Sequence, residues 1–332
     1  MEAEKMEMRT CGKSGIEISP MGIGCWSYGG GDYWGPQAQS DVTAVANAAL
    51  DAGINFFDTA EGYNNGRSEE ALAVALKDRR HEAVIGTKVS RPDPATIREH
   101  CEASLQRLQT DYVDIYMIHW PDDEIAIEES MAELTRLQED GLIRAIGVSN
   151  FGVEQLTAAL NTGASIAVNQ LCYNLLSRAI EPALLPLCRE HNVGILGYMP
   201  LLQGILTGQY KSAEEIPSVH SRFRHFRNDR EEASHGEEGA EEEMFETLEA
   251  IRHIAEADQI PMSRLAIAWA MARPGITCML VGTRNINELT ENLHVVEYTP
   301  SADVIERLDA VTAPLLEKMG ANPDYFTGAK IH

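Results

Sequence analysis

The chain has 332 residues, of which 44% are hydrophobic and 23% charged, the balance of a globular protein that can bury a sizeable core. Its 27 lysines and arginines stand against 51 aspartates and glutamates, which gives a formal net charge of −24 at pH 7. A surface this acidic repels nucleic acids and anionic membranes, so we expect neither as a partner.

Short β-rich runs alternate with helical patterns along the chain, and the alternation repeats eight times. A closed parallel barrel needs this number of strand–helix units, and a (β/α)8 barrel takes about 250 residues as one domain. We therefore predict an α/β fold, a TIM barrel, with residues 1–332 forming a single domain. The predicted strands, in chain order, are residues 21–25, 55–59, 83–88, 112–119, 143–148, 166–170, 193–198 and 277–281. The helices that follow them, in the same order, are residues 41–52, 69–77, 94–108, 127–139, 153–160, 181–191, 241–257 and 286–295.

Several segments lie outside this count. Residues 8–18 read as a β-hairpin, turning between two glycines, that could close the bottom of the barrel. Residues 261–273 and 303–318 predict extra helices towards the C-terminal end. Residues 211–240 hold four arginines and a Glu/Gly/Ser-rich run, and they follow the seventh strand at the end where barrel active sites lie. A stretch this long is a lid or a disordered loop, and we favour an active-site lid.

The six cysteines are scattered, and no two form a C-x-x-C pair. This usage is typical of reduced thiols in a cytosolic protein rather than of disulfides or a zinc site, so we expect no metal. Residues 1–8 are charged and lack the apolar core of a signal peptide. The longest apolar stretch, residues 193–206, is interrupted by glycines, Pro200 and Gln203, and is too short to cross a bilayer. We expect a cytoplasmic protein.

Catalytic side chains of such barrels lie at the C-terminal ends of several strands. Here Asp58 follows the second predicted strand, Tyr63 lies in the loop just beyond it, and Lys88 and His119 end the third and fourth strands. Taken singly, each has a structural explanation: a helix cap, a surface lysine or a hydrogen-bonded core histidine. Their occurrence at successive strand ends favours a shared site. Further polar residues at strand ends are Ser149, Asn150, Gln170 and Tyr198.

The chemistry of carbonyl reduction explains this combination of residue types. Hydride delivery to a carbonyl carbon leaves an alkoxide, which needs a proton donor and an electropositive pocket. A tyrosine such as Tyr63 is a weak acid, but an ammonium group such as that of Lys88 lowers its pKa. Asp58 can hold Lys88 charged and oriented, and His119 can donate a hydrogen bond to the substrate oxygen.

Four segments carry a resemblance to a known family. Residues 53–63 (GINFFDTAEGY), 85–88 (IGTK), 114–121 (DIYMIHWP) and 146–150 (IGVSN) strongly resemble the aldo-keto reductase superfamily, and the similarity extends from about Met8 to Val295. The resemblance implies a reductase of aldehydes or ketones that takes hydride from NADPH. It also implies a catalytic tetrad, which in this sequence is Asp58, Tyr63, Lys88 and His119.

The resemblance further implies how NADP is bound, although the sequence has no G-x-G-x-x-G motif. Ser149, Asn150 and Gln170 match residues that hold the nicotinamide carboxamide, and Tyr198 matches a tyrosine that stacks on the ring. Residues 199–204 (MPLLQG) resemble the loop over the pyrophosphate, with Met199 in place of a common serine. Residues 281–292 (VGTRNINELTEN) resemble the segment at the adenosine end. The cofactor-binding residues predicted in these two segments are Pro200, Leu201, Gln203, Gly282, Thr283, Arg284, Glu288, Glu291 and Asn292.

Glu288 occupies a position where the family often has a basic residue that contacts the 2′-phosphate of NADP. A carboxylate there disfavours NADP and favours NAD, whereas Arg284 lies one helical turn earlier and can pair with phosphate. We expect NADP(H) to be preferred by a reduced margin, with NAD(H) usable.

Four aromatic residues follow the first and fourth strands: Trp26, Tyr28, Trp34 and Trp120. They can form the wall of a pocket for a small carbonyl substrate, or they can be ordinary packing at the barrel end, and the sequence favours neither.

Two functions other than carbonyl reduction stay open. Lys88 could form a Schiff base, although a neighbouring carboxylate opposes the uncharged lysine that this needs. Alternatively, the protein could be an NADP(H)-binding regulatory subunit, because potassium-channel β-subunits resemble this superfamily. The oligomeric state leaves no signal in the sequence.

Overall fold

A computed structural model describes residues 6–332. Residues 1–5 lie outside the described range. They belong to residues 1–8, for which the sequence predicts no signal peptide. The strands of the described chain are β1 (Arg9–Thr10), β2 (Glu17–Ile18), β3 (Met21–Gly24), β4 (Phe56–Asp58), β5 (Val84–Val89), β6 (Val113–Ile118), β7 (Ile143–Ser149), β8 (Ile166–Cys172), β9 (Gly194–Tyr198) and β10 (Ile276–Gly282).

Strands β3 to β10 form a closed parallel barrel in which each pairs with the next along the chain. Closure is made by β10, whose Met279 and Gly282 pair in register with Met21 and Gly24 of β3. The strands are almost wholly buried, as strands covered by helices on one face and by a filled barrel interior on the other must be. This confirms the predicted TIM barrel and its eight strands.

Helices surround the barrel and agree closely with the predicted ones. The last strand is preceded by the expected extra helix, α8, and the chain carries the expected long helix, α10, after the barrel is complete. The α-helices are α1 (Gln39–Asp51), α2 (Arg67–Leu76), α3 (Ile97–Leu108), α4 (Ile127–Glu139), α5 (Val153–Asn161), α6 (Leu184–His191), α7 (Glu241–Ala257), α8 (Met262–Met271), α9 (Ile286–Val296) and α10 (Ala302–Met319).

The N-terminal hairpin of β1 and β2 closes the bottom of the barrel, as expected. Cys11, Ile16 and Ile18 are buried in the cluster that fills the barrel interior. At the turn, Gly12 has a φ of +52°, and a β-carbon there would lie 2.6 Å from the carbonyl oxygen of Ala167. Glycine therefore both permits the left-handed backbone and lets the turn press against the barrel.

The predicted lid, residues 211–240, is folded against the top of the barrel and contains two short 3-10 helices, Ala213–Glu215 and Ser218–His220. Its Phe223 and Phe226 are fully buried. The final residues, 320–332, pack beside it: the backbone N–H of Arg224 donates to the carbonyl oxygen of Tyr325 at 2.8 Å. Among residues 6–332, no helix combines the length and the apolar character needed to cross a membrane.

Candidate active site

A cavity of about 660 Å³ opens at the C-terminal ends of the barrel strands. The strand ends place Asp58, His119, Ser149, Gln170 and Tyr198 on its wall, as predicted for a shared site. Counting Gly24 at the end of β3 and Gly282 at the end of β10, seven of the eight barrel strands contribute a terminal or adjacent residue. In the described part of the chain, no three His, Cys, Asp or Glu side chains are grouped so that they could hold a metal ion.

Lys88 links two of the other predicted catalytic residues. Its Nζ donates to Oδ2 of Asp58 at 2.8 Å, to the carbonyl oxygen of Thr59 at 2.7 Å and to the Tyr63 hydroxyl at 3.2 Å. These bonds use all three donors of the ammonium group. Lys88 is fully buried behind the cavity wall, whereas Asp58 and Tyr63 line it. The lysine is thus fixed, and it presents its charge to the phenol.

The pKa values of this group reflect burial first and charge second. Burial opposes the charged form of Lys88, but Asp58 and the Tyr63 hydroxyl raise the pKa of Lys88 above its ordinary value. Burial raises the pKa of Asp58, although the Lys88 ammonium acts against this shift. Burial also raises the pKa of Tyr63 and outweighs the lowering by Lys88. The net shift at Tyr63 is therefore upward, opposite to what the lysine alone predicts, and the phenol keeps its proton at neutral pH.

His119 lies beside Tyr63 on the cavity wall, with 5.7 Å between the ring centroids and the rings at 77°. Burial, and then the nearby charge of Lys88, lowers the pKa of His119 to about 3. The imidazole is therefore neutral at physiological pH and carries one N–H donor.

The polar residues at the ends of β7 to β9 are joined by hydrogen bonds. The Tyr198 hydroxyl donates to Oδ1 of Asn150 at 2.7 Å, and Nδ2 of Asn150 donates to Oγ of Ser149 at 3.1 Å. Nε2 of Gln170 donates to Oδ1 of Asp58 at 2.7 Å. This network connects the predicted nicotinamide residues to the predicted catalytic group and fixes the orientation of each.

The loop after β9 supplies Pro200, Leu201 and Gln203 to the wall. Its backbone is left-handed at Leu202 and Gln203, with φ of 44° and 54°, a conformation that non-glycine residues rarely adopt. Nε2 of Gln203 is buried without a hydrogen-bond partner in the described structure, as are Oγ of Ser27 and Nε1 of Trp34 on the same wall. Three unsatisfied polar atoms on one wall suit a ligand rich in hydrogen-bonding groups.

Arg284 and Glu288 line the cavity near Gly282, and the Glu288 carboxylate contacts the backbone of Arg284 rather than its guanidinium. The Arg284 guanidinium instead bridges to the loop after β3, donating to the carbonyl oxygen of Pro36 at 2.8 Å and to Oε1 of Gln37 at 2.9 Å. The Glu288 carboxylate accepts the backbone N–H of Arg284 at 2.8 Å and so helps to cap α9. Arg284 keeps unused donors, but its position is set by the neighbouring loop.

Three residues predicted at the adenosine end do not line the cavity. Thr283 is fully buried, and its hydroxyl donates to the carbonyl oxygen of Val281 and accepts from Nδ2 of Asn292. Its role in cofactor binding stays a prediction. Glu291 is exposed on α9, with its carboxylate 3.8 Å from Arg264. Contacts of Glu291 and Asn292 with adenine stay a prediction.

The structure places three of the four predicted aromatic residues on the cavity wall. Trp26, Trp34 and Trp120 line the cavity, and Trp26 packs edge-on against Trp34 with 5.2 Å between the ring centroids. Tyr28 does not line it: the side chain is only 2% exposed and belongs to the core. Its placement in a substrate wall is therefore corrected.

The structure adds wall residues that the sequence did not indicate. Tyr33 does not itself line the cavity, but it supports the wall: its ring stacks on Trp26 with 5.0 Å between the ring centroids, and its hydroxyl donates to Oε1 of Gln203 at 2.6 Å. The lid contributes Arg222, whereas the three other arginines of that segment form ion pairs elsewhere. The last residues of the chain contribute Phe326, Thr327 and Lys330. That tail has no periodic pattern, so only its aromatic and basic composition could have drawn attention to it.

Comparisons with known proteins give a consistent result. The model described as the aldo/keto reductase family matches residues 20–313. An NADH-specific methylglyoxal reductase of Escherichia coli is 33% identical over 309 residues, covering 85% of this chain and 91% of that protein. A probable voltage-gated potassium channel subunit beta of Oryza sativa subsp. japonica is 30% identical over 326 residues, covering 92% of this chain and 96% of that protein. The crystal structure of an aldo-keto reductase from Klebsiella pneumoniae in complex with NADPH superposes with a TM-score of 0.73 at 28% identity, covering 93% of this chain and 96% of the other.

Proposed function

The chain belongs to the aldo/keto reductase family of oxidoreductases, and on this premise we propose that it reduces an aldehyde or ketone to an alcohol with NADPH as hydride donor. The observation that carries the proposal is the buried contact of Lys88 with both Asp58 and Tyr63, at the wall of a cavity of about 660 Å³. The whole site is built from one barrel, so residues 1–332 act as a single catalytic domain.

The cavity wall fits a nicotinamide dinucleotide. It includes the catalytic group, Ser149, Asn150 and Tyr198, and Arg284 just before α9. The unsatisfied Nε2 of Gln203 offers a donor for phosphate oxygens, and a helix N-terminus favours negative charge. Ser149, Asn150 and Gln170 would hold the carboxamide, and Tyr198 would support the ring. When bound, the cofactor supplies a hydride to the substrate carbon.

Tyr63 is the general acid in this proposal. It keeps its proton at neutral pH, and it lines the cavity beside His119. As negative charge develops on the substrate oxygen, the phenol gives up its proton and the Lys88 ammonium stabilises the resulting phenolate. Asp58 keeps Lys88 charged and directed at the phenol. His119, neutral, donates its N–H to the same oxygen.

Two charged residues on the cavity wall have opposite effects on the preference between NADPH and NADH. The charge of Arg284 favours the 2′-phosphate of NADPH, whereas Glu288 on the same wall disfavours it and favours the ribose diol of NADH. One relative carries NADPH and another is NADH-specific, so the family allows both. NADPH is preferred by a narrow margin, and NADH is used.

A regulatory subunit related to the potassium-channel β-subunits is the second candidate, supported by the 30% identity over nearly the whole chain. A Schiff-base enzyme is disfavoured, because Lys88 gives all three of its donors to neighbours and its raised pKa keeps it charged.

The decisive experiment follows NADPH absorbance with a panel of aldehydes and ketones, in parallel with NADH. Multiple turnovers that depend on the carbonyl substrate support the reductase. Tight NADPH binding without turnover of any panel member would contradict it and favour the regulatory subunit.

A further inference from the structure

Part of the cavity wall consists of two aromatic rings and two cations in alternation. The Arg222 guanidinium lies 5.3 Å from the centroid of the Phe326 ring, Phe326 packs edge-on against Trp120 at 5.6 Å, and Nζ of Lys330 lies 5.9 Å from the Trp120 ring. All four side chains line the cavity. Because Trp120 directly follows His119, this wall begins next to the proposed reacting centre.

Neither cation has an acidic partner. Among residues 6–332, no carboxylate oxygen lies within 4.0 Å of the side-chain nitrogens of Arg222 or Lys330, although the chain has 51 acidic residues and a net charge of −24. The other arginines of the 211–240 segment are each paired, Arg224 with Glu237, Arg227 with Asp229 and Arg230 with Glu241. Two cations without an acidic partner therefore lie on the side of the cavity that the aromatic rings line.

The Arg222 side chain is also incompletely bonded. Its Nε atom is shielded from solvent and has no hydrogen-bond partner in the described structure. Aromatic rings lie near the guanidinium on several sides but accept no conventional hydrogen bond from it, so its terminal nitrogens, unlike the shielded Nε, are left to a ligand in the cavity. An anionic group matches this requirement best, because a guanidinium binds carboxylate or phosphate through two parallel N–H donors.

Resting on the carbonyl reduction proposed above, we propose that the substrates carry an acidic group, carboxylate or phosphate, in addition to the reacting carbonyl. Arg222 and Lys330 bind the acidic group, and the substrate body lies against Trp120 and Phe326. The carbonyl oxygen then reaches Tyr63 and His119. The wall thereby selects one class among the aldehydes and ketones that the catalytic group could reduce.

The test compares substrates that differ in charge but hardly in shape. 4-Carboxybenzaldehyde and its methyl ester, methyl 4-formylbenzoate, are assayed with saturating NADPH, and 4-formylphenyl phosphate distinguishes phosphate from carboxylate recognition. The measured quantity is the ratio of kcat/KM for the acidic substrate to that for the ester. We expect the ratio to be at least about tenfold in favour of an acidic substrate, the scale of a charge-assisted hydrogen bond.

Arg222→Gln lowers this ratio by about tenfold, and Lys330→Gln, at an exposed site, by about threefold. Lys211→Gln is the matched control, because Lys211 is an exposed lysine at the start of the lid and does not line the cavity. It removes the same charge and leaves the ratio unchanged.

A ratio near one in the parent enzyme would overturn the proposal while leaving carbonyl reduction intact. Equal losses of kcat/KM for acid and ester in both variants would also overturn it, and would assign Arg222 to the cofactor phosphates instead.

A binding measurement covers the case in which no aldehyde is reduced. It follows the quenching of tryptophan fluorescence by 4-carboxybenzyl alcohol, with NADP+ present. If that binding depends on Arg222 and Lys330, the anion site stands and carbonyl reduction fails; if it does not, both fail.

Discussion

Nζ of Lys88 lies 2.8 Å from Oδ2 of Asp58, and both side chains are almost completely buried. Removing the lysine alone leaves a buried carboxylate without its partner, which costs about 3–5 kcal/mol in such pairs. We therefore expect Lys88→Met to lower the free energy of unfolding strongly, and the double variant Asp58→Asn/Lys88→Met to recover much of the loss. Urea unfolding of the parent, both single variants and the double variant measures this coupling. Additive effects of the two substitutions would contradict it.

Tyr63→Phe removes the proposed proton donor and little else, since the ring keeps its packing beside Trp26 and His119. We expect kcat for aldehyde reduction to fall by at least about a hundredfold, the scale of general acid catalysis, with NADPH binding nearly unchanged. Tyr112→Phe is the control, because Tyr112 lies just before β6, at the other end of the barrel. A Tyr63→Phe enzyme that turned over at close to the parent rate would exclude the assignment.

Acid should weaken the fold through a histidine far from the chemistry. His225 is fully buried, stacks on Tyr325 at 5.0 Å and lies 2.9 Å from the carbonyl oxygen of Leu176. Burial lowers the pKa of His225 to about 4, despite the opposing effect of that carbonyl.

Because the unfolded chain binds this proton at its ordinary pKa, stability is lost as pH falls from about 6.5 towards 4, by about 3 kcal/mol at pH 4. His225→Gln should lose stability at neutral pH but show a shallower decline between these values. Urea unfolding across this pH range measures the slopes, and parallel curves for parent and variant would contradict the account. His253→Gln is the control, because His253 is exposed on α7.

The cofactor preference should respond to the two charges near α9. Arg284→Ala should weaken NADPH binding more than NADH binding, and Glu288→Gln should do the reverse by strengthening NADPH. Each effect should be about tenfold or less, because both groups are partly solvated. Dissociation constants from tryptophan quenching provide the measurement.

The variant Gln37→Ala tests whether the charge of Arg284 or the position of its side chain determines the cofactor preference. It removes the hydrogen bonds between Gln37 and Arg284 but keeps the arginine, so the ratio of NADPH to NADH affinity should change less than in Arg284→Ala. An equal loss of both cofactors in Arg284→Ala would remove this residue from the phosphate site.

Residues 211–240 should become more resistant to proteolysis when cofactor binds. Arg222 is on the cavity wall, so a ligand in the cavity restrains this segment. Limited trypsin digestion with and without NADPH should show slower cutting after exposed Arg227, while cutting after Lys13 in the distant hairpin stays the same. Equal cutting of the segment in both states would argue against a lid.

The fold could be predicted from the sequence because local patterns determine it. The helices 127–139 and 241–257 were predicted to the residue, since their apolar spacing and flanking turns leave little choice. The predicted catalytic residues meet because the topology brings all strand ends to one rim.

The features of the site that could not be predicted from the sequence depend on contacts between distant segments. Phe326 and Lys330 reach the cavity only because residues 320–332 pack against the lid, an arrangement held by Arg224 and the backbone of Asp324. Tyr28 and Trp26 are two residues apart, yet one faces the core and the other the cavity. No periodicity in a short loop marks that difference. The bridge from Arg284 to Gln37 spans 247 positions and likewise has no local signature.

The hairpin at the bottom of the barrel has a consequence for the order of events during synthesis. Residues 9–18 leave the ribosome well before β10, but Arg9 donates to the carbonyl oxygen of Ile276, a partner 267 residues later. Cys11 and Ile18 likewise share their interior cluster with Cys278 and Leu280 of the last strand. The hairpin must therefore wait, without these final neighbours, until β10 has been translated. Such long sequence separations slow folding, and closure of the barrel by β10 should coincide with docking of the hairpin.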